Sequence, residues 1–319
     1  MALFYFLVLS LCITCCIVDA RSKPLLNEQN QFTTSYSTMH QVDNDFDCVD
    51  IYKQDTLQHP LLKNHKIQLY PTFAKNVVQS RRSNDGECPV GKTPIYKGIR
   101  KHQFDTNSSS KLQSGDLPIG YHTVSLDTTK DCINGGYAAI SIYNLSLSVG
   151  QYSSSLICVA SGQPNENNIC AGLSVYPALY GDSQPRITTQ WLDNSTGNWW
   201  LTLDEIVQVG YWPKELFPHL SEGASLVRFM GQVYASPNLV NPPMGSGKLP
   251  KEGYANAALF GKLMTIDSES TQSDVEPEDM KPYSDANSDC YDLLYYKYSG
   301  PKYRQAFLFG GPGGQNCDK

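Results

Sequence analysis

Residues 196–220, TGNWWLTLDEIVQVGYWPKELFPHL, hold three of the four tryptophans in the chain: Trp199, Trp200 and Trp212. Two apolar runs rich in β-formers, 198–203 and 206–211, flank Asp204-Glu205. That is the pattern of a hairpin with a polar turn. Pro213 has no N–H for a ladder and so ends the second strand, after which 214–220 reads as a short helix. Paired indoles at a strand end bury a large apolar area, either in a thick core or in the wall of a ligand site. These residues alone leave both open and favour the core.

The rest of the chain repeats the strand signal. Runs at 137–144, 154–160, 169–176, 186–191, 225–235, 257–265, 290–298 and 306–309 are separated by Gly, Asn, Ser and Pro turns. Short strands so spaced predict an all-β antiparallel sandwich or barrel. Twenty tyrosines and 24 glycines, with little helical periodicity, agree with this. A chain of 319 residues with 40% hydrophobic content suits one or two domains. Its net charge of −6, with no cluster of Lys and Arg, excludes a nucleic-acid partner.

The first residues read as a secretory signal. The apolar run 3–18 is short for a bilayer span and ends in Val18-Asp19-Ala20, which places cleavage near Ala20 or Ser22. No later run is long and apolar enough to span a bilayer, so no membrane association is expected after processing. Processing would remove Cys12, Cys15 and Cys16 and leave seven cysteines, an odd number, for an oxidising compartment. Sequons at Asn107, Asn144 and Asn194 fit the same compartment.

A polar stretch, 23–40, precedes compact blocks around Cys48 and Cys88, and linker composition follows at 101–116. The domain boundary is expected in that linker. The block before it is small enough to need a staple, which Cys48–Cys88 would supply. Cys290–Cys317 would tie down the C-terminal hairpin and its GGPGGQNC tail.

Familiar catalytic constellations are absent. There is no H-E-x-x-H and no G-x-S-x-G elbow. Gly245-Ser246-Gly247 reads as a loop, and the glycines of 310–314 lack the Lys-Ser/Thr of a phosphate loop. His122 and His219 read as ordinary loop residues. No metal site and no cofactor are expected.

Certain motifs, however, occur in a telling order. They are DCVDIYKQ…HPLLKNHKIQLYP, ISIYN, AGLSVYPALYGD, TGNWWL, VGYWPKELF, GQVYASP, PMGSGKLP and GGPGGQNC. This series resembles the neprosin family, secreted plant glutamic endopeptidases that cleave at proline. The resemblance covers nearly the whole chain after the leader. It implies a signal peptide at 1–20, a small α+β activation-peptide domain at 40–105, and an antiparallel β-sandwich of the catalytic type at 117–319. It also implies a latent precursor opened by acid, a proline-containing peptide as partner, and a monomer in the apoplast or vacuole. Trp199, Trp200, Tyr211 and Trp212 then belong to a family signature and would wall the peptide cleft.

The family hydrolyses peptides with two glutamates, one carboxyl protonated and the other ionised. The first lies in an I-E-A-G-W pattern, here Ile169-Cys170-Ala171-Gly172-Leu173. The second lies in a G-G-E-V pattern, here Met230-Gly231-Gln232-Val233. Cys170 and Gln232 thus stand at the two catalytic positions, and both carboxylates are missing. An amide cannot exchange a proton in this pH range, and a thiol needs a base to become a nucleophile. Glu166 is near in sequence but falls in the turn 162–167.

Cys158 stands where the family carries tryptophan. If 154–160 and 169–176 form a hairpin centred on Pro164, Cys158 and Cys170 fall opposite each other. Opposed residues in an antiparallel pair have Cα atoms about 4.5–5.5 Å apart, within disulfide reach. A Cys158–Cys170 bridge is therefore expected, with Cys132 as the odd thiol. The passage from 182 to 196 is also much shorter than in the family, which means either a truncated sheet or a missing exon. Three functions remain: a neprosin-like protein that no longer hydrolyses peptides but keeps their groove, a peptidase using other carboxylates, or an extracellular glycan- or peptide-binding module.

Overall fold

A computed structural model describes residues 6–13, 46–68, 88–89, 91–96, 120–162, 167–181, 183, 186–192, 198–203, 207–220, 223–269 and 271–319. The expected cleavage site, the 101–116 linker, Asn107, Asn194, Glu166 and the Asp204-Glu205 turn lie outside these residues. The chain divides into one compact unit at 17–105 and a larger one made of 1–16 and 106–319.

In the smaller unit, β2 (Phe46–Asp50) and β3 (Lys92–Tyr96) form a two-stranded antiparallel sheet with Cys48 opposite Pro94. Three short 3-10 turns follow β2, at Ile51–Lys53, Asp55–Gln58 and Pro60–Leu62. The first is capped by Asp50, whose carboxylate accepts from the Tyr52 amide at 2.8 Å. Two strands and single turns bury little, and Leu62 is the buried residue among the described positions here. A disulfide joins Cys48 to Cys88.

The larger unit is a sandwich of two antiparallel sheets. The six-stranded sheet runs β14 (Met280–Ser284), β4 (Tyr121–Ile133), β11 (Ala224–Ala235), β6 (Gln151–Ser161), β7 (Asn167–Val175), β8 (Arg186–Leu192). The eight-stranded sheet runs β10 (Val207–Trp212), β9 (Trp199–Leu203), β1 (Phe6–Ile13), β5 (Gly135–Ser141), β12 (Ala258–Ile266), β16 (Gln305–Gly310), β15 (Asp292–Tyr298). A short β13 (Gln272–Asp274) also pairs with β12. Among the described residues the helical segments are single turns, including α1 (Pro177–Tyr180) and α2 (Gly300–Tyr303). None is long and apolar enough to cross a membrane.

The sheets meet through aromatic and branched side chains. Phe229 of β11 touches Phe260 of β12 edge-on at 6.3 Å, and Phe260 stacks on Phe307 at 5.0 Å. All three are fully buried. Alternation along β11 therefore sends Val227, Phe229, Gly231 and Val233 to the core and Arg228, Met230, Gln232 and Tyr234 to the opposite face. Gly231 is required by close approach, since a Cβ there would come within 2.6 Å of Met244 Sδ and 2.7 Å of the Phe309 ring.

The aromatic stretch folds as the hairpin expected, β9 pairing with β10, followed by 3-10 turns at Lys214–Leu216 and Pro218–Leu220. The expectation for His122 is corrected. It lies in β4, not a loop, and is 3% exposed, with Nδ1 3.7 Å from Asp285 and its ring against Tyr291. The polar sequence of β4 hides a strand whose ladders to β11 and β14 supply the pairing that its composition does not announce. His219 is exposed in the 3-10 turn Pro218–Leu220.

Candidate functional site

Cys170 and Gln232, the positions that the resemblance sets against the family glutamates, lie on the face of the six-stranded sheet turned away from the core. Register across that sheet arranges its side chains in rows. One row holds Thr123, Gln232, Ser154 and Ser174, and the row four residues along holds Asp127, Arg228, Cys158 and Cys170. Cys170 and Gln232 thus share a face but not a row. Two strand spacings sideways and four residues lengthwise put their Cα atoms roughly 16 Å apart.

Cys158 and Cys170 are directly opposed on β6 and β7, with Cα atoms 4.0 Å apart, and are joined by a disulfide. Both are buried, packed with Leu156 and Met230. A third disulfide joins Cys290 to Cys317, and Cys132 is left as an exposed free thiol. A sulfur in a disulfide neither titrates nor attacks, so position 170 offers no acid, base or nucleophile.

Gln232 is equally closed. It is 3% exposed. Its Oε1 accepts from the Tyr152 hydroxyl at 2.5 Å, and its Nε2 donates to Thr123 Oγ1 at 3.5 Å. Next to it Ser154 and Ser174 share a hydrogen bond of 2.7 Å. Asp127 is the carboxylate on the Cys170 row, and Arg228 grips it with Nε at 2.9 and 3.0 Å and Nη2 at 2.6 Å. Such a forked pair keeps the carboxylate occupied.

Beyond the Gln232 row lie four tyrosines: Tyr121, Tyr234 and Tyr152 from β4, β11 and β6, and Tyr176 just after β7. Tyr121 and Tyr234 lie 4.6 Å apart between ring centroids, Tyr152 and Tyr176 5.4 Å, and Tyr121 and Tyr152 5.9 Å. Tyr152 is buried and the other three are half-exposed. Burial, with the neighbouring phenols adding to it, raises the pKa of Tyr121 and Tyr176 above the usual value. These hydroxyls stay neutral donors over a rigid aromatic surface. The sequence signal was available: Tyr121-His-Thr123, Tyr152-Ser-Ser154, Ser174-Val-Tyr176 and Gln232-Val-Tyr234 all set a tyrosine two residues from a polar side chain, on one face of a strand.

The indoles stand elsewhere. Trp199, Trp200 and Trp212 are in the eight-stranded sheet and are 0%, 2% and 8% exposed. Tyr211, half-buried, packs on Trp200 at 4.8 Å. The structure does not bring them together with Cys170 or Gln232. Asn144, the sequon among the described residues, is exposed. Among the described residues no three His, Cys, Asp or Glu side chains are grouped to hold a metal ion.

Comparison with protein-family models matches the neprosin model over residues 149–196 and 191–312. The two segments meet where the passage between the sheets is short, and together they span just over half of the chain and both strands that carry Cys170 and Gln232. The chain belongs to the neprosin family.

Proposed function

We propose that this neprosin-family chain binds extended, proline-containing peptides on the tyrosine-lined face of its six-stranded sheet and does not hydrolyse them by the family's two-carboxylate reaction. The observation that carries this reading is chemical. One catalytic position is a disulfide sulfur, and the other is a buried amide with both ends hydrogen-bonded. A reaction that needs one protonated and one ionised carboxyl has neither here. Asp127, the carboxylate on the Cys170 row, is held by Arg228.

What remains is a recognition surface. Half-exposed tyrosines offer flat apolar contact to a proline ring and hydroxyls to peptide carbonyls. We further propose that the protein is a secreted monomer, delivered by its apolar leader to the apoplast or vacuole and glycosylated at Asn107, Asn144 and Asn194. In that setting 40–105 acts as an activation peptide. Three disulfides support an oxidising compartment.

The test is incubation of acid-treated protein with a proline-containing peptide, read by mass spectrometry and by calorimetric binding. Binding without cleavage, weakened at least tenfold by Tyr234→Ala, is the expected result. Cleavage that survives inhibitors of serine, cysteine and metallopeptidases would overturn the non-hydrolytic reading.

A further inference from the structure

The apolar segment Phe6–Ile13 occupies an interior position of the eight-stranded sheet. Phe6 to Ser10 pair with Ser141 to Tyr137 of β5, and Leu9 to Ile13 pair with Leu203 to Trp199 of β9. Both ladders are antiparallel, so β5 and β9 run parallel to each other on either side of it. Removing the segment leaves a gap one strand wide, about 10 Å from β5 to β9. The backbone groups it pairs on β5 are in a strand whose residues are all buried, where unpaired N–H and C=O groups are costly. Direct closure of the gap would require β5 and β9 to form a new, parallel ladder.

The gap is largely apolar. Ala138, Ile140, Trp199 and Leu201 line the face toward the core, and Tyr137, Ala139 and Trp200 line the other together with Ser141, whose hydroxyl is bonded to the Leu259 backbone. Trp199 and Trp200 carry buried indole N–H groups with no hydrogen-bond partner. An amphipathic strand would set polar groups against one of these faces, whereas FLVLSLCI is apolar at nearly every position. The chain is short at the passage joining β8 to β9, the place where a further strand for this sheet could have come from.

We propose that the space between β5 and β9 is a strand-acceptor site, and that its ligand is the chain's own Phe6–Ile13 segment, held covalently in the full chain and non-covalently after processing near Ala20. Export cleavage and completion of the sheet thus compete for one segment. A processed chain that loses the peptide carries an open acceptor on each side of the gap. This is independent of whether the tyrosine face binds peptides.

The test uses the full chain with a specific protease site placed in the polar 23–40 stretch, folded first and then cut. The expected result is that the N-terminal fragment co-elutes with the body in gel filtration. Amide exchange at 137–141 and 199–203 should then rise at least tenfold when the fragment is stripped. Adding back a synthetic 5–14 peptide should restore protection, and the same peptide with prolines at positions 9 and 11, which lack ladder N–H groups, should not. Release of the fragment with exchange unchanged at both strands would overturn the proposal. So would a rise in exchange that the peptide does not reverse.

Discussion

Tyr152 donates its hydroxyl hydrogen to Gln232 Oε1 across 2.5 Å, and both side chains are buried. The amide at position 232 accepts this hydrogen bond without carrying a charge. A glutamine fills the space of a glutamate and avoids the cost of burying its ionised form.

Gln232→Glu should therefore restore a carboxyl with a pKa above the ordinary range, because burial opposes ionisation more than one phenol favours it and Arg228 lies four residues along the strand. With the folded-state pKa raised, the stability contribution is complete below the unfolded value of about 4.3 and is lost as pH rises through the folded value. A shift of about two units lowers stability at pH 7 by about 2–3 kcal/mol relative to pH 4. Urea unfolding at the two pH values, against the parent chain, measures it.

The Cys158–Cys170 bridge closes a sequence separation of 12 residues. Replacing both cysteines by alanine should cost about 2–3 kcal/mol through the freed unfolded chain, with a further cost from packing lost beside Leu156 and Met230. Replacing Cys170 alone by glutamate should cost more, since it also buries a charge. Denaturant midpoints of the variants settle both orders, and thiol titration checks the parent.

Arg228 and Asp127 are 22% and 13% exposed, so their pair is only partly screened. Asp127→Asn should destabilise by about 1–3 kcal/mol by leaving the guanidinium without its partner, whereas replacing both residues with apolar ones should cost less than the sum of the single changes. A double-mutant cycle in urea reads the coupling.

Tyr295 is raised to about 12 by burial and then by the carboxylates of Glu278, Asp274 and Glu276. A raised phenol pKa contributes stability that is complete below pH 10 and declines as pH climbs toward 12. The phenolate absorbance of Tyr295→Phe should lack one component that titrates well above pH 10 in the parent, and the variant should lose less stability between pH 10 and 12.

Local strand pairs were legible from residue order. The β6–β7 hairpin follows from apolar runs around Pro164, and it sets Cys158 against Cys170 by counting alone. The β9–β10 hairpin is equally explicit in its two runs and Pro213. The β4 strand was not legible, because Asp127, Thr128, Thr129 and Lys130 give it a polar composition; partners about a hundred residues or more away in β11 and β14 make that stretch a strand. The tyrosine cluster was legible only in part: each tyrosine's place two residues from a polar side chain can be read locally, but the meeting of the four depends on the pairing of β4, β11, β6 and β7.

The sequence by itself determined the family, the all-β class and the hairpins, since these depend on residue identity and on periodicities of a few positions. The tertiary structure decided that Cys170 and Gln232 share a face but sit in different rows. It also decided that the tryptophans are interior to the other sheet and that Phe6–Ile13 completes the strand order between β5 and β9. Each of these depends on backbone hydrogen bonds between segments far apart in the chain, and local periodicity says which residues form a strand but not which distant strand will satisfy its edge.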